Sequence, residues 1–490
     1  MHADTKVREK SVKAISELID KGIYDTSTLE PLEKALQDDV EYLRGHAAEA
    51  IYKLAQHDIY DSSSLESLIS LLDDDDEYVR GTASKAIRGL AERKIYDLKS
   101  IEKLNKNLRN EDKFVKWNAL RAIEVLAKHG VCKPSTLEEI YHILDDPDEE
   151  IKNVALHILR SMTRKGMTDE EAVEEIRNLL SGSSSEVKQN AAKTIETLSK
   201  NKIDVSLVIG KLNRLLREID EKTCEAAASA LISAFENGYY ERRTIKILSK
   251  ILLDEDDKKR KKLMAKNLLN FAEKGLMDEA SLNPLNRLVD SSDEELSKIA
   301  IKTMTLMAMN GIKSDKIVEI LNETLEDGNK ETKKISARSI KKLAGMGICN
   351  SESIDPLFDL LKDEQDEVRE KAMEAIEFIT IENAYDESVL DNVIYALQDK
   401  DKFVKISAVS TLKHLAEQGI SAEESVGYLN DFLRSEDKDL IERTLVTFSV
   451  LADQDIYNEK TIECLHELVD DPEYSIRKKA QNLIEIVEEK

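Results

Sequence analysis

The chain has 490 residues, of which 41% are hydrophobic, 35% charged and only 5% aromatic. Sixteen Gly and six Pro exclude collagen-like, linker-like and most all-β chains, leaving an almost purely helical one. A formal charge of -26, from 98 acids against 72 bases, disfavours nonspecific attraction to nucleic acid or anionic membrane for the molecule as a whole.

The N-terminal residues Met1 to Lys10 are polar and lack the apolar core of a secretion signal, and no run approaches the ~18 apolar residues of a membrane span. Cys132, Cys224, Cys349 and Cys464 stand far apart and form no C-x-x-C pair, so neither a disulfide framework nor a zinc cluster is indicated. A reducing, cytoplasmic setting is the expectation.

A first helix is expected at about residues 5 to 20. From there the segment typified by Val79-Arg80-Gly81-Thr82-Ala83-Ser84-Lys85-Ala86-Ile87 recurs, its first residue falling at 7, 43, 79, 115, 151, 187, 223, 260, 296, 332, 368, 404, 440 and 476. Every step is 36 residues except one of 37. Numbering that first residue 0, apolar residues fall at +4, +5, +7, +8, +11 and +12, one face of a 3.6-residue helix. Position +4 is mostly Ala (Ala47, Ala119, Ala191, Ala300, Ala372, Ala480), which allows close helix approach.

A shorter helix precedes each copy after the first, its last core position Leu or Val from Leu36 to Val469. Thr28, Ser64, Ser100, Thr136, Ser281, Ser353 and Thr461 stand where a side-chain oxygen can cap it, and Pro31, Pro284 and Pro356 lie in its first turn. Gly22, Gly130, Gly166, Gly238, Gly275, Gly311, Gly347 and Gly419 follow the second helices, where a left-handed residue ends a helix, and Asn383 can serve likewise. The chain therefore reads as one N-terminal helix followed by thirteen two-helix repeats that must stack to bury their apolar faces. The expectation is one continuous all-α, right-handed α-solenoid over residues 1–490. The 37-residue step, at residues 253–260, is the only candidate break.

This pattern, an acidic turn followed by V-R-x-x-A-x-x-A-I-x-x-L-A, resembles the HEAT repeat and its shorter HEAT-like relatives. The resemblance implies that the second helices line a concave surface. It also implies that an Asp of the turn and the Arg or Lys at +1 (Arg8, Arg44, Arg80, Lys116, Lys152, Lys188, Lys333, Arg369, Lys405, Arg477) form a ladder between repeats, interrupted at Cys224, Ser297 and Ile441. Two enzymatic relatives come with it. HEAT-like deoxyhypusine hydroxylases carry several His-Glu dipeptides, whereas only His466-Glu467 occurs here, and nothing marks a chromophore site of the HEAT-like bilin lyases. No nucleophile elbow, P-loop or dinucleotide fingerprint is present. The acidic turns, such as Asp73 to Glu77, lack calcium-loop spacing and read as helix caps. No cofactor or metal is expected, and His142 and His157 belong to opposite helices of one repeat.

Two clusters are candidate binding residues. Position +2 and position +6 lie four residues apart on the face away from the core, and in three consecutive repeats both are basic: Lys262 and Lys266, Lys298 and Lys302, Lys334 and Arg338. Lys341 and Lys342 extend the set, no acid occupies +9 there, and Glu273 is the only acid at +13. These six form an expected anion-accepting patch. Lys258 to Lys262 is the one pure basic run. Near the N-terminus Tyr42, Tyr78 and Phe114 share position −1, and Trp117, the only Trp, holds +2, expected exposed. Tyr24, Tyr60 and Tyr96 read as packing between repeats.

The expected function is a non-enzymatic scaffold or adaptor that holds a partner protein or extended peptide, itself a monomer. A phosphate-rich ligand or nucleic acid on the basic patch is the alternative, and a HEAT-like enzyme the third. Thirteen pairs of helices ~10 Å apart give a contour on the order of 100 Å; small-angle scattering from the monomer should show an elongated particle, and a near-spherical one would contradict the stack.

Overall fold

The computed structural model describes residues 4–241, 243–348, 351–382, 388–420 and 423–488. Cys349 and Asn383 lie outside the described residues. No strand occurs among the described residues, and an N-terminal helix, Thr5–Asp20, precedes thirteen helical pairs. The chain divides into two compact units, residues 1–244 and 245–490. In the first unit, the second helices Glu41–Gln56, Glu77–Glu92, Lys113–His129, Glu149–Arg164 and Ser185–Lys200 stack each on the next, while first helices pack mainly on the second helix of their own pair. The second unit repeats this with Lys258–Glu273, Glu294–Met309, Lys330–Ala344, Asp366–Glu382, Lys402–Glu417, Lys438–Asp453 and Tyr474–Glu488.

Sequence periodicity explains the packing directly. The +4 alanines Ala47, Ala119, Ala191, Ala300, Ala372 and Ala480 are all fully buried, as are the +8 residues Ile51, Ile87, Ile123 and Ile195. A small +4 residue lets adjacent second helices approach while the larger residues interdigitate on either side. The −3 residue of the turn caps most second helices, Val40 being an exception: Asp76 accepts the Val79 N–H at 3.0 Å and Asp112 the Val115 N–H at 3.0 Å, with Asp257 and Asp437 doing the same for Arg260 and Leu440. The acidic turns thus spend carboxylates on backbone donors.

Two expectations about helix ends are refined. All eight glycines named above have positive φ, but the same position is left-handed at Asp58, Lys94, Lys202 and Asp455, which sequence alone did not single out. The caps of the first helices also differ from expectation. Asp25, Asp61, Asp97 and Asp278, three residues before the expected Ser or Thr, accept the N–H two residues on. Thr28 and Thr461 instead accept the Asp25 and Asn458 backbone N–H groups as the return half of capping boxes. Tyr24 stacks on His57 at 4.8 Å and Tyr96 on His129 at 5.5 Å, joining consecutive repeats as expected. The extra residue near 253–260 is taken up by a first helix that runs from Arg243 to Asp254 and by Glu255, whose carboxylate lies 2.9 Å from Arg260.

The inter-repeat ladder forms at five of the six places where a basic +1 residue faces an acid thirty residues on. Arg44 donates two parallel bonds to Asp74, at 2.7 and 2.9 Å, and a third at 2.9 Å to the Asp38 carbonyl of its own turn. Arg8–Asp38, Lys116–Asp146, Lys188–Glu218 and Arg369–Asp399 repeat the thirty-residue pairing. At Arg80, Lys152 and Lys405 the facing residue is Asn110, Gly182 or Ser435, and Arg80 turns to the carbonyls of Asp74 and Asp75 instead. Arg477 likewise holds the carbonyls of its own turn, Asp471 and Pro472. Lys333 makes no ion pair with Asp363, which nothing in the structure explains.

Burial alone would raise the Asp74 carboxyl, but the Arg44 guanidinium and the Asp76 N–H outweigh it and hold Asp74 below the ordinary carboxylate range; Asp146 and Asp399 behave alike. A carboxylate depressed in the folded state stabilises it above the unfolded value of about 3.9, and that contribution disappears as pH falls through the lower folded value. Asp74→Ala should therefore cost about 3 kcal/mol near neutral pH by leaving a mostly buried guanidinium unpaired. In thermal melts, the difference between Asp74→Asn and wild type should shrink as pH falls below about 4; a constant difference down to pH about 2 would show that the pair does not set the stability of this turn.

Candidate binding surface

Positions −1, +2, +6, +9 and +13 alternate steps of three and four residues, so they form one stripe on each second helix, away from its core side. Because second helices stack on one another within each unit, these stripes assemble into a second-helix face. One register rule organises it: the +2 residue of one repeat meets the −1 residue of the next. This pairing was legible in the spacing of 33 residues, yet the −1 acids escaped the sequence reading.

In the second unit the rule removes most of the expected cationic patch. Lys262 is paired with Glu295, which also lies 3.2 Å from Lys266. Lys298 lies 3.4 Å from Glu331, and Lys334 lies 3.0 Å from Glu331 and 2.7 Å from Glu367. Lys341 is 2.9 Å from Glu374 and lies over the Phe378 ring. Hydrogen bonds from Lys262 and Lys266 hold the Glu295 carboxyl below its ordinary range, and the Glu367 hydrogen bond raises Lys334. The expectation of six free cations is thus corrected: the +2 lysines are internal struts between repeats. Within the basic run, Arg260 is tied to Glu255 and Lys262 to Glu295.

Lys302, Arg338 and Lys342 differ. All three are exposed, and none lies within ion-pair distance of a carboxylate among the described residues. They border a groove of about 330 Å³ that also contains Glu273 and has Leu269, Leu306 and Ile335 in its lining.

In the first unit the same register carries aromatic rings. A Cβ on Gly45 would fall 2.5 Å from the Tyr78 ring, and one on Gly81 would fall 2.3 Å from the Phe114 ring, so each −1 ring sets one edge against a +2 glycine. His46 sits between Tyr42 at 4.1 Å and Tyr78 at 5.5 Å, and Tyr78 stacks on Phe114 at 6.0 Å. The Tyr78 hydroxyl donates to Glu49 at 2.8 Å. The result is a ribbon of rings across three helices, with Tyr42 and Phe114 exposed.

Trp117 occupies +2 where the two preceding helices have Gly, and here the expectation is corrected: it is half-buried, with the Arg121 guanidinium 5.7 Å from its ring centre. Arg121 in turn pairs with Glu124, which Lys128 also meets at 3.0 Å and His157 faces at 3.6 Å. Burial would raise Glu124, but His157, Lys128 and Arg121 bring it down to about 2.

Elsewhere the chemistry is muted. Cys132, Cys224 and Cys464 are buried, and burial pushes Cys132 up to about 12. Glu467 of the His-Glu dipeptide is engaged by Arg434 at 2.7 Å. No group of three or more His, Cys, Asp or Glu among the described residues is placed to hold a metal. No helix among them is long and apolar enough to cross a membrane.

If the glutamates are what silence the lysines, removing them should create the missing patch. The triple change Glu295→Gln, Glu331→Gln and Glu367→Gln should give salt-sensitive binding to a polyanion such as heparin, measured by retention on an affinity column. Equal retention of wild type and variant would show that the ion pairs do not control this face.

The model for the adaptin N-terminal region matches residues 1–223, and the model for HEAT repeats matches residues 281–377 and 354–447. No curated protein matches the sequence. Crystal structures of Kap121p, and of a triple mutant of it in which three acids are replaced by lysine, are similar over 98% of this chain and 55% of theirs, at a TM-score of 0.51 and 14% identity. The chain spans about half the length of those structures, and at that identity the likeness is one of fold. Stacked helical pairs, the inter-repeat ladder and the matched repeat models agree on an all-α solenoid built of HEAT-like repeats.

Proposed function

We propose that the chain is a non-enzymatic, cytosolic scaffold or adaptor that holds a partner protein or an extended peptide on its second-helix faces. The observation that carries this reading is the ring ribbon of the first unit. Glycine inside a helix costs about 1 kcal/mol relative to alanine, yet Gly45 and Gly81 stand where a methyl group would collide with a ring. The rings they seat are Tyr78 and Phe114, and Phe114 is still 40% exposed, with Tyr42 at the other end of the ribbon 43% exposed. Exposed, pre-ordered aromatic surface of this kind anchors protein interfaces at low entropic cost.

A phosphate-rich ligand or nucleic acid draws less support. The ion pairs of the second unit occupy most of the lysines that reading needs, the chain carries a charge of -26, and no aromatic lines the groove between the remaining cations.

Gly81→Ala separates seating from stability. The added methyl displaces the Phe114 ring, while the helix gains about 1 kcal/mol in propensity, so the melting temperature should stay near that of wild type. Affinity capture followed by identification of what co-purifies should yield a partner with wild type that is lost or depleted with Gly81→Ala and with Phe114→Ala. A complete set of partners retained by both variants would reduce the ribbon to packing.

A further inference from the structure

The groove of the second unit combines features that point to one class of ligand. It crosses three successive second helices, Lys258–Glu273, Glu294–Met309 and Lys330–Ala344, and measures about 330 Å³. Leu269, Leu306 and Ile335 supply apolar lining from each helix in turn. Below them Thr305 donates to the Ser339 hydroxyl at 2.8 Å, and both side chains are buried, so the base of the groove is fixed across two helices. Lys302 and Arg338 occupy the same repeat position, and Lys342 follows Arg338 by one helical turn.

These cations stand apart from their neighbours. Lys262, Lys266, Lys298, Lys334 and Lys341 each have a carboxylate from the adjoining repeat within ion-pair distance. Lys302, Arg338 and Lys342 have none among the described residues, in a chain with 98 acids, and Glu273 is the one acid in the groove. Three cations against one acid leave an excess of positive charge beside an apolar lining.

We propose that this groove binds an acidic peptide segment in which Asp or Glu residues flank bulky aliphatic side chains. The aliphatic groups fill the space over Leu269, Leu306 and Ile335, and the carboxylates meet Lys302, Arg338 and Lys342, with Arg338 able to take one in bidentate fashion. Charge complementarity selects the acids, and the apolar lining distinguishes a peptide from a polyphosphate or a nucleic acid, neither of which has aliphatic groups to bury. The groove lies in the second unit and the ring ribbon in the first, so either binding site can fail without the other.

Fluorescence anisotropy on the full chain tests this with three labelled probes: a short peptide of alternating Glu and Leu, the same peptide with Gln for Glu, and a single-stranded oligonucleotide. The Glu-Leu peptide should bind wild type, weaken as salt rises, and lose about tenfold or more in affinity with Lys302→Glu plus Arg338→Glu, at unchanged helicity. Glu273→Gln should strengthen binding about two- to fivefold, a gain that unfolding cannot imitate. The Gln-Leu peptide should bind much more weakly. Equal binding of the Gln-Leu peptide, or insensitivity to both variants, would overturn the proposal. So would an oligonucleotide that binds through Lys302 and Arg338 while the Glu-Leu peptide does not.

Discussion

A thirty-residue offset between a basic side chain and a carboxylate sets the stack. Arg44 holds Asp74, Arg369 holds Asp399, and each arginine also grips a carbonyl of its own turn, so a single guanidinium ties two consecutive turns to each other. The same Asp accepts an N–H of its turn, as Asp74 does from Asp76 and Asp399 from Asp401, which orients the chain for the −3 cap. Once that turn is fixed, the second helix starts at a defined height. Its +4 alanine then meets the neighbouring helix, and its −1 residue arrives beside the preceding +2 residue.

At that last meeting two chemistries recur in consecutive repeats. In the first unit Gly receives an aromatic ring, producing an apolar, uncharged strip. In the second, Lys receives Glu, producing struts that cancel their own charge. The net acidity of the chain is therefore not spread evenly over its interior contacts. Carboxylates of the turns are consumed by caps and clasps, and the cations left over are those one helical turn beyond the struts, at Lys302 and Arg338.

The architecture was legible because period, apolar spacing and turn residues all pointed the same way, from Val7 to Ile476. The ladder was legible as well, and it breaks where the sequence supplies Asn110, Gly182 or Ser435 in place of an acid. What escaped was which side chains meet on the second-helix face, and where the backbone turns left-handed without glycine. Lys262 and Lys334 looked free because acids were sought at +9 and +13 on the same helix, whereas their partners come from the N-terminal end of the next. Trp117 looked exposed by its position, but Arg121, one turn on, covers its ring. Gly45 and Gly81 carried no signal until the rings above them were in place. The left-handed residues Asp58 and Lys94 are unremarkable in composition, and only the backbone reveals them.

The lysine–glutamate struts also bear on how such an array can change length. Between Lys262 and Glu367 every +2 residue is Lys and every facing −1 residue is Glu. Excision of one 36-residue period inside that stretch, wherever the cut falls, joins a lysine to a glutamate again. Beyond a stretch of like pairs the freedom ends: in the first unit a cut that brings Gly81 opposite Glu150 would set a carboxylate over a helix built to seat a ring. Repeat gain and loss are thus tolerated locally, by the degeneracy of the contact pair, and the middle of this chain is where recombination between repeats leaves the least trace.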